Sequence, residues 1–269
     1  MLADYLQTAE EAARAGGSVL NAMQGRIRVR SKGRNDLVTE ADVASQQAIR
    51  AILLGRYPDH EFIGEESEDA AEHLARTMGN SGQDAPLQWI VDPLDGTTNY
   101  VHNLPTYAVS IALERAGEIL VGVVYDPVSG ECYRAARGHG ADLNGQRLEV
   151  TDCRQASEAL VAVSFAPDVL RESVEIERFL AILHACQSIR RLGSAALNLC
   201  YVAAGRLDGY VTGCVKAWDV AAGMLIVREA GGRITGIGGE PLDLRSPHLT
   251  CAATDELHAE LLTILAQVE

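Results

Sequence analysis

The sequence predicts an α/β protein of two domains, an α+β domain over residues 1–149 and an α/β domain over residues 150–269. Two observations predict this fold class. In the second domain, short apolar strands alternate with amphipathic helices, which is typical of a sheet covered by helices. In the first domain, two runs of alternating apolar residues, Tyr107 to Glu114 and Glu118 to Tyr125, are joined at Ala116-Gly117 and indicate an antiparallel pair.

Helical and strand periodicities predict the other elements of the first domain. Apolar residues recur at helical spacing from Ala3 to Met23. Thr39 opens a second helix, with Asp42 in the fourth place of a capping box, and this helix ends near Tyr57-Pro58. Three further strands are predicted over Arg26 to Ser31, Glu61 to Gly64 and Leu87 to Val91. Glu68 to Pro86 is predicted as a helical turn followed by a surface loop, and Asp126 to Gly130 as a turn before another strand.

The second domain alternates between strands and helices. Its last predicted helix carries apolar residues at core-facing spacing, including Met224, Leu225 and Val227. The predicted strands are Ala159 to Ser164, Ser188 to Leu192 and Gly209 to Thr212, and the predicted helices are Val174 to Cys186, Ser194 to Ala204 and Asp219 to Ala230.

Composition excludes several classes of function. The 269 residues are enough for a sizeable core, and 47% apolar with 22% charged residues is ordinary for a globular protein. The formal net charge of -14 argues against a nucleic-acid partner, because binding a phosphate backbone needs a basic face. An anionic substrate is not excluded, since bound cations can reverse the local field.

Targeting and metal motifs built on cysteine or histidine are missing from the sequence. No apolar run is long enough to span a bilayer, and Met1 to Glu10 lacks the basic region of a signal peptide. The 6 cysteines form no C-x-x-C pair, and the 7 histidines show no H-x-x-x-H spacing. We therefore expect a cytoplasmic protein with reduced cysteines, no membrane partner and no histidine-based zinc site.

Two carboxylates follow one apolar strand. Asp92 stands at its end and Asp95 comes three residues later, so both can point into one cavity at the carboxyl end of the sheet. Pro93 stiffens the turn, Gly96 lets the backbone approach a ligand, and Thr97 opens a short helix whose N–H groups suit a phosphate. A plain turn explains the same residues, because Asp-Pro and Asp-Gly are common turn dipeptides.

Three further acids stand near predicted element boundaries. Asp42 lies in the capping box, Glu65 follows a short strand, and Asp219 precedes a helix. Glu65 alone fits a residue facing water, and Asp219 alone fits a helix N-cap. Together with Asp92 and Asp95, however, these acids would repel one another unless hard divalent cations lay among them. Mg²⁺ prefers such oxygen ligands, so the set indicates metal-assisted chemistry on a phosphate.

The chain resembles the inositol monophosphatase family of Mg²⁺-dependent, lithium-sensitive phosphatases. The resemblance runs from about Ala9 to Leu265 and is carried by long motifs in the family's order. These motifs are Asp36 to Asp42, Gly64-Glu65-Glu66-Ser67, Trp89 to Asn99, Gly193-Ser194-Ala195-Ala196, Trp218 to Gly223, and Glu229-Ala230-Gly231-Gly232.

The resemblance implies a fold, an ion set and residue roles. It implies a layered αβαβα sandwich, usually found as a homodimer, that binds two to three Mg²⁺ ions and a small phosphate monoester. Glu65, Asp92 and the carbonyl of Leu94 would hold the first ion, and Asp92, Asp95 and Asp219 the second; Glu65 would also help to place a third. Thr97, with Asp42 behind it, would orient the attacking water, the N–H groups of Gly96 and Thr97 would bind phosphate oxygens, and Gly193, Ser194 and Ala195 would contact the sugar or cyclitol.

One position departs from the family pattern. Inositol-specific members carry a glutamate seven residues before the last aspartate ligand, where this chain has Thr212. The change leaves the metal ligands intact but removes a partner for substrate hydroxyls. Myo-inositol 1-phosphate is the first expected substrate. Histidinol phosphate, fructose 1,6-bisphosphate and 3′-phosphoadenosine phosphate remain alternatives, as does an inactive regulatory protein that binds metal and phosphate.

Several positively charged or titratable residues near these motifs fit two interpretations. Lys216 lies between Thr212 and Asp219 and is either a contact for an anionic substrate or a solvated lysine. Arg190 and Arg191 precede the Gly193 loop and either pair with an acid at an interface or face water. His102 follows the Trp89 to Asn99 run, at the pocket edge or on the surface.

Overall fold

Two large β-sheets and three layers of helices make up the structure, a computed structural model that describes residues 1–25, 29–33, 36–68, 70–77, 85–166 and 168–268. The first half forms a sheet of seven strands in the order β3-β4-β5-β6-β7-β8-β9, with a separate hairpin of β1 and β2. The elements of this half are α1 (Leu2–Met23), β1 (Val29–Gly33), β2 (Asp36–Thr39), α2 (Glu40–Arg56), β3 (Glu61–Gly64), α3 (Ala70–Thr77), β4 (Gln88–Asp95), α4 (Thr97–Val101), β5 (Ala108–Arg115), β6 (Glu118–Asp126), β7 (Glu131–Ala136), β8 (Ala141–Leu143) and β9 (Gln146–Arg147).

The second half forms a sheet of five strands in the order β11-β10-β12-β14-β13. Strands β10, β11 and β12 run parallel, whereas β14 pairs antiparallel with both β12 and β13. The elements are β10 (Leu160–Ser164), α5 (Val174–Ala185), β11 (Ser188–Arg190), α6 (Ala195–Ala203), β12 (Gly209–Thr212), α7 (Ala217–Glu229), β13 (Arg233–Gly236), β14 (Leu249–Ala252) and α8 (Asp255–Leu265). The sequence analysis missed β13, β14 and α8.

Helices cover both faces of each sheet, so the predicted αβαβα order is confirmed. Helices α1 and α2 pack on one face of the larger sheet, and α6 and α7 fill the space between the two sheets. Helices α5 and α8 cover the outer face of the smaller sheet. Helix α7 is buried over most of its length because it meets β4, β5 and β6 on one side and α6 on another. The domain boundary at residue 149 stays a prediction, since α7 of the second half packs directly on the first sheet.

Element boundaries differ from the prediction at two points that concern the site. Strand β4 does not end at Asp92 but continues to Asp95, with a shift of register between these residues in its pairing with β5. Pro93 lies inside this irregularity, where its missing N–H costs no ladder hydrogen bond. Helix α7 begins at Ala217, two residues before the predicted start, so Asp219 lies inside its first turn.

Two other predictions are only partly covered by the described residues. The strand predicted over Arg26 to Ser31 begins at Val29 in β1, and residues 26–28 lie outside the described part of the chain. The helical turn predicted after Glu68 is the two-turn helix α3. The surface loop predicted after it falls largely on residues 78–84, which also lie outside the described part.

Candidate metal and phosphate site

Strand β4 delivers two buried carboxylates to one end of the larger sheet. Asp92 is 2% exposed and Asp95 is 8% exposed. The backbone N–H of Leu94 donates to Oδ1 of Asp92 over 2.9 Å, so the irregular turn holds this carboxylate in place. Ser45 of α2 donates to the carbonyl of Pro93 over 3.0 Å and fixes the same turn from the helical side.

Asp95 joins the two halves of the chain. Its carboxylate accepts hydrogen bonds from the backbone N–H of Ala196 over 2.8 Å and of Ala195 over 3.3 Å, and from the hydroxyl of Ser194. These donors form the N-terminus of α6, where a negative charge is stabilised by the unpaired N–H groups. The predicted substrate loop residues Ser194 and Ala195 therefore contact Asp95 directly.

Asp219 reaches the same region from α7. Its carboxylate accepts a hydrogen bond from the backbone N–H of Lys216 over 2.7 Å and lies beside the carboxyl group of Asp92. Lys216 is the N-cap residue, so the interpretation of Asp219 as the N-cap is wrong. Asp219 instead occupies the third helical position and reaches back to the cap, which leaves its carboxyl group within reach of β4.

Glu65 lies next to Asp92 through parallel strand pairing. The backbone N–H of Glu65 donates to the carbonyl of Val91 over 3.0 Å, which extends the pairing of β3 with β4 to the residue before Asp92. The charge of Glu65 raises the pKa of Asp92. The sequence placed Glu65 after a strand, and the structure brings it to the same end of the sheet as the other acids.

Burial raises the pKa values of three carboxyl groups at this site, and neighbouring acids add to the effect at Asp92 and Asp95. Burial and the charges of Glu65, Asp95 and Asp219 hold the pKa of Asp92 well above its usual range. Burial and the charge of Asp219 raise the pKa of Asp95 to about 7, despite its three hydrogen-bond donors. Burial raises the pKa of Asp219 to about 6, although the charge of Lys216 acts in the opposite direction. Ionised acids gathered in this way need a compensating cation.

The chemistry of the donor atoms is that of a Mg²⁺ site, although among the described residues no three His, Cys, Asp or Glu side chains are arranged as a metal-binding group. Mg²⁺ keeps several waters and is bound by one or two carboxylates together with substrate phosphate oxygens. Asp92, Asp95 and Asp219 offer hard oxygen atoms of this kind next to a cleft, so the residues present fit the ion.

Thr97 and Asp42 are brought together although 55 residues separate them. Asp42 is 1% exposed and accepts hydrogen bonds from the backbone N–H of Thr39 over 2.9 Å and from its hydroxyl over 2.5 Å. This confirms the predicted capping box. The hydroxyl of Thr97 lies 3.2 Å from Oδ1 of Asp42 and 3.1 Å from the carbonyl oxygen of Leu94, and it can donate to either. Burial raises the pKa of Asp42.

Two glycines allow the chain to close around this region. Gly96 has a φ of 94°, and a Cβ there would lie 2.9 Å from the carbonyl oxygen of Thr106. Gly193 has a φ of 85°, and a Cβ there would lie 2.8 Å from Nδ2 of Asn99. Both positions therefore require glycine, for backbone conformation and for space.

A cleft of about 560 Å³ opens beside the carboxylates. Asn99 forms part of its wall and links the two halves of the chain, because its Nδ2 donates to the carbonyls of Thr106 over 2.7 Å and Leu192 over 2.8 Å. The lining consists of Asp95, Thr98, Asn99, His102, Ser164, Phe165, Arg191, Gly193, Ala195, Tyr210, Cys214, Val215 and Asp219. His102 and Arg191, for which the sequence left two interpretations, thus belong to the cleft.

The sequence analysis missed Ser164, Phe165 and Tyr210 as cleft residues. Tyr210 stands two residues before Thr212, the position that the sequence singled out. The structure brings Thr212 beside the cleft rather than into its lining, since this side chain is 1% exposed and accepts only a long bond of 3.4 Å from the N–H of Cys214. Tyr210 and Thr212 stand two residues apart on β12, so their side chains point to the same face of the strand.

Comparisons with known proteins show that the chain belongs to one family of phosphatases. Residues 1–269 match the sequence model of the inositol monophosphatase family. The Nus factor SuhB of Pasteurella multocida is 44% identical over 252 residues, which cover 92% of this chain and 91% of that protein. An inositol-1-monophosphatase of Synechocystis is 39% identical over 98% of this chain and 90% of its own length. A fructose-1,6-bisphosphatase/inositol-1-monophosphatase of Aquifex aeolicus is 38% identical over 89% of this chain and 88% of its own length.

Solved structures show the same architecture. The inositol monophosphatase of Anabaena superposes with a TM-score of 0.85 at 36% identity, and the match covers 100% of this chain and 97% of that one. The resemblance in sequence and the fold class are therefore both confirmed. In the described part of the chain, no helix has the length and apolar character needed to cross a membrane.

Proposed function

Because this chain belongs to the inositol monophosphatase family of phosphoric monoester hydrolases, we propose that it hydrolyses a small polyol phosphate with the help of Mg²⁺. One observation carries the proposal. The buried carboxylates of Asp92 and Asp95 on β4 meet the carboxylate of Asp219 on α7 near a cleft, and burial raises the pKa of all three. Such an arrangement is costly unless a hard cation neutralises it.

The ions would be held by the acids together with one main-chain oxygen. Glu65, Asp92 and the carbonyl of Leu94 fit one ion, and Asp92, Asp95 and Asp219 fit a second, with Glu65 available to a third. When bound, Mg²⁺ supplies Lewis-acid stabilisation of the charge on the phosphate and on the leaving oxygen. We propose that two to three ions bind at this site.

Thr97 and Asp42 orient the attacking water. The hydroxyl of Thr97 accepts a proton from the water and passes its own to Oδ1 of Asp42, 3.2 Å away. The raised pKa of Asp42 favours this uptake. The water oxygen forms its bond to phosphorus as the bond to the leaving oxygen breaks, and the leaving alcohol takes up a proton from solvent.

Backbone groups orient the two ends of the substrate. The N–H groups of Gly96 and Thr97 are directed to phosphate oxygens in this proposal, and the segment Gly193, Ser194 and Ala195 contacts the sugar or cyclitol. Thr212 is buried beside the cleft and has no carboxylate that could bind the substrate hydroxyl groups. Discrimination between polyols is then weaker than with a glutamate at this position.

Myo-inositol 1-phosphate is the first substrate that we propose. Histidinol phosphate and 3′-phosphoadenosine phosphate remain open. Fructose 1,6-bisphosphate is supported as a second candidate by the name of the Aquifex relative. We also propose inhibition by lithium, a homodimer and a cytoplasmic location; the free state of all six cysteines supports a reducing compartment.

Phosphate release from a panel of these substrates, with and without Mg²⁺, tests the proposal. We expect hydrolysis only with Mg²⁺, and we expect Asp92→Asn to reduce it by more than about a hundredfold, because the substitution removes a shared ligand. Asp152→Asn, an exposed acid outside the cleft, serves as the control and should retain activity. Wild-type protein that releases no phosphate from any substrate would favour the regulatory alternative, which the relatives named as Nus factors keep open.

A further inference from the structure

One wall of the cleft carries a permanent cation that the proposed hydrolysis does not use. The guanidinium carbon of Arg191 lies 4.5 Å from the ring centroid of Phe165, and Nη2 of Arg191 donates to the carbonyl of Phe165 over 3.3 Å. The stacking and the hydrogen bond together fix the orientation of the guanidinium group. Both residues line the cleft.

The floor of the cleft is neutral and rich in hydroxyl and amide groups. Tyr210 and Ser164 line the cleft, and Thr212 and Asn198 lie beside the hydroxyl of Tyr210. Tyr210 and Asn198 are both fully buried, and the Tyr210 hydroxyl has Ser164, Thr212 and Asn198 as its polar neighbours. This side of the cleft is therefore polar but uncharged.

Acidic and basic side chains both line the cleft. Asp95 and Asp219 belong to the proposed metal site, and Arg191 lies against Phe165. The acids Glu175 and Asp168 act on Cys214 but do not belong to the cleft lining. In a chain with a formal net charge of -14, an anion that enters the cleft would meet repulsion without this cation.

We propose that Arg191 binds a second anionic group on the leaving alcohol, so that this chain prefers substrates with two anionic groups over matched monophosphates. The inference rests on the proposed function and names its substrate class. A guanidinium group whose plane is already fixed matches the oxygens of a phosphate or a carboxylate with two parallel hydrogen bonds. The same charge disfavours histidinol phosphate, whose leaving group carries an ammonium.

Matched pairs of substrates test this inference. Fructose 1,6-bisphosphate is compared with fructose 1-phosphate, and 3-phosphoglycerate with glycerol 1-phosphate, so that each pair differs in the second anion. The first pair adds a phosphate and the second adds a carboxylate, which separates the two sources of charge. We expect wild-type kcat/KM to be roughly tenfold to a hundredfold higher for the doubly anionic member of at least one pair, chiefly through a lower KM.

Arg191→Gln should bring that ratio close to one, chiefly by raising KM for the doubly anionic member of each pair. Arg190→Gln is the matched control, because Arg190 contacts Ser188 and Ile189 and does not line the cleft; it should keep the ratio. Arg191→Lys keeps the charge without the planar fork and should give an intermediate ratio.

Two results would overturn the inference alone: equal kcat/KM within both pairs in the wild type, or an unchanged ratio in Arg191→Gln. Should Arg191→Gln fail to fold, the wild-type ratios and the Arg191→Lys ratio still decide the matter. A wild-type protein that hydrolyses none of the four compounds with Mg²⁺ would overturn the proposed function as well, so the two failures are distinguishable.

Discussion

Thr97 and Asp42 are the side chains that most directly concern the reacting water. Asp42 is fixed by three hydrogen bonds, two from Thr39 and one available from Thr97, so its position depends on the start of α2. A helix cap and a catalytic pair thus share one carboxylate. Asp219 likewise has two contacts, because it accepts a hydrogen bond from the N-cap residue Lys216 and lies beside Asp92.

Replacing Thr97 by Val removes the hydroxyl and keeps the shape of the side chain. We expect kcat to fall by about a hundredfold to ten thousandfold, since the water loses its orienting partner. Binding of Mg²⁺, measured by calorimetry, should be nearly unchanged. Thr263→Val, which removes an exposed hydroxyl bonded within α8, is the control. Wild-type kcat in Thr97→Val would contradict the role of this hydroxyl.

The raised pKa values of Asp95 and Asp219 make the stability of the metal-free protein dependent on pH. Each folded-state pKa, about 7 and about 6, lies above the ordinary value of 3.8, so the folded chain binds more protons than the unfolded chain between these values. Stability from this source is complete below pH 3.8 and is lost as pH rises through 6 to 7.

Thermal unfolding in a chelator, from mildly acidic to mildly alkaline pH, measures this dependence. We expect Tm to fall over the window as pH rises, and Mg²⁺ to raise Tm more at the alkaline end than at the acidic end. Asp95→Asn should flatten the slope, and Asp152→Asn should leave it intact. A Tm of the metal-free protein that rises through the window would contradict the coupling of these acids.

At the scale of elements, Asn99 holds α4 against the segment before α6. Its Nδ2 donates to the carbonyls of Thr106 and Leu192, and Gly193 lies against its side chain. Asn99→Asp would place a carboxylate oxygen against two carbonyl oxygens and push the Gly193 segment away from the cleft.

We expect Asn99→Asp to lower kcat/KM by roughly tenfold to a hundredfold, because small displacements of positioned groups are costly to rate. Asn21→Asp is a matched control, since Asn21 donates to the carbonyl of Pro127 over 2.9 Å outside the cleft. Both variants should lose stability in denaturant unfolding. Equal kcat/KM in the two variants would show that Asn99 acts on folding alone.

The packing of α7 on β6 depends on one glycine. A Cβ at Gly122 would lie 2.7 Å from the carbonyl oxygen of Ala222 and 3.1 Å from its Cα, both backbone atoms that cannot turn aside. We expect Gly122→Ala to cost about 1–3 kcal/mol of unfolding free energy in urea unfolding. Gly55→Ala, in α2 with no atom within 4 Å, should instead stabilise by about 0.5–1 kcal/mol. A neutral Gly122→Ala would contradict this close contact.

At the scale of the whole molecule, local patterns predicted most elements but not their pairing. The capping box at Thr39, the hairpin at Ala116-Gly117 and the alternation after residue 150 are short-range signals, and the structure contains all three. The polar C-terminal region gave no such signal, because β13 and β14 are only four residues each and gain their stability from antiparallel pairing.

The sequence predicted the acids of the candidate site but not the far wall of its cleft. Its acids were found because a carboxylate beside an apolar strand is conspicuous in sequence, as with Asp92 after Trp89 to Val91. The far wall of the cleft could not be found, since Phe165, Arg191 and Tyr210 meet only when β10, β11 and β12 are assembled into one sheet. Nothing in the spacing of an arginine and a phenylalanine 26 residues apart indicates their contact.

Binding of Mn²⁺, a paramagnetic substitute for Mg²⁺, to wild-type protein and to Asp92→Asn shows whether these carboxylates hold divalent ions. Electron paramagnetic resonance counts the ions bound per chain. We expect saturable binding by the wild type, affinity reduced by more than about a hundredfold in Asp92→Asn, and wild-type binding in Asp152→Asn. Equal binding by wild type and Asp92→Asn would contradict the claim that these buried carboxylates hold the ions.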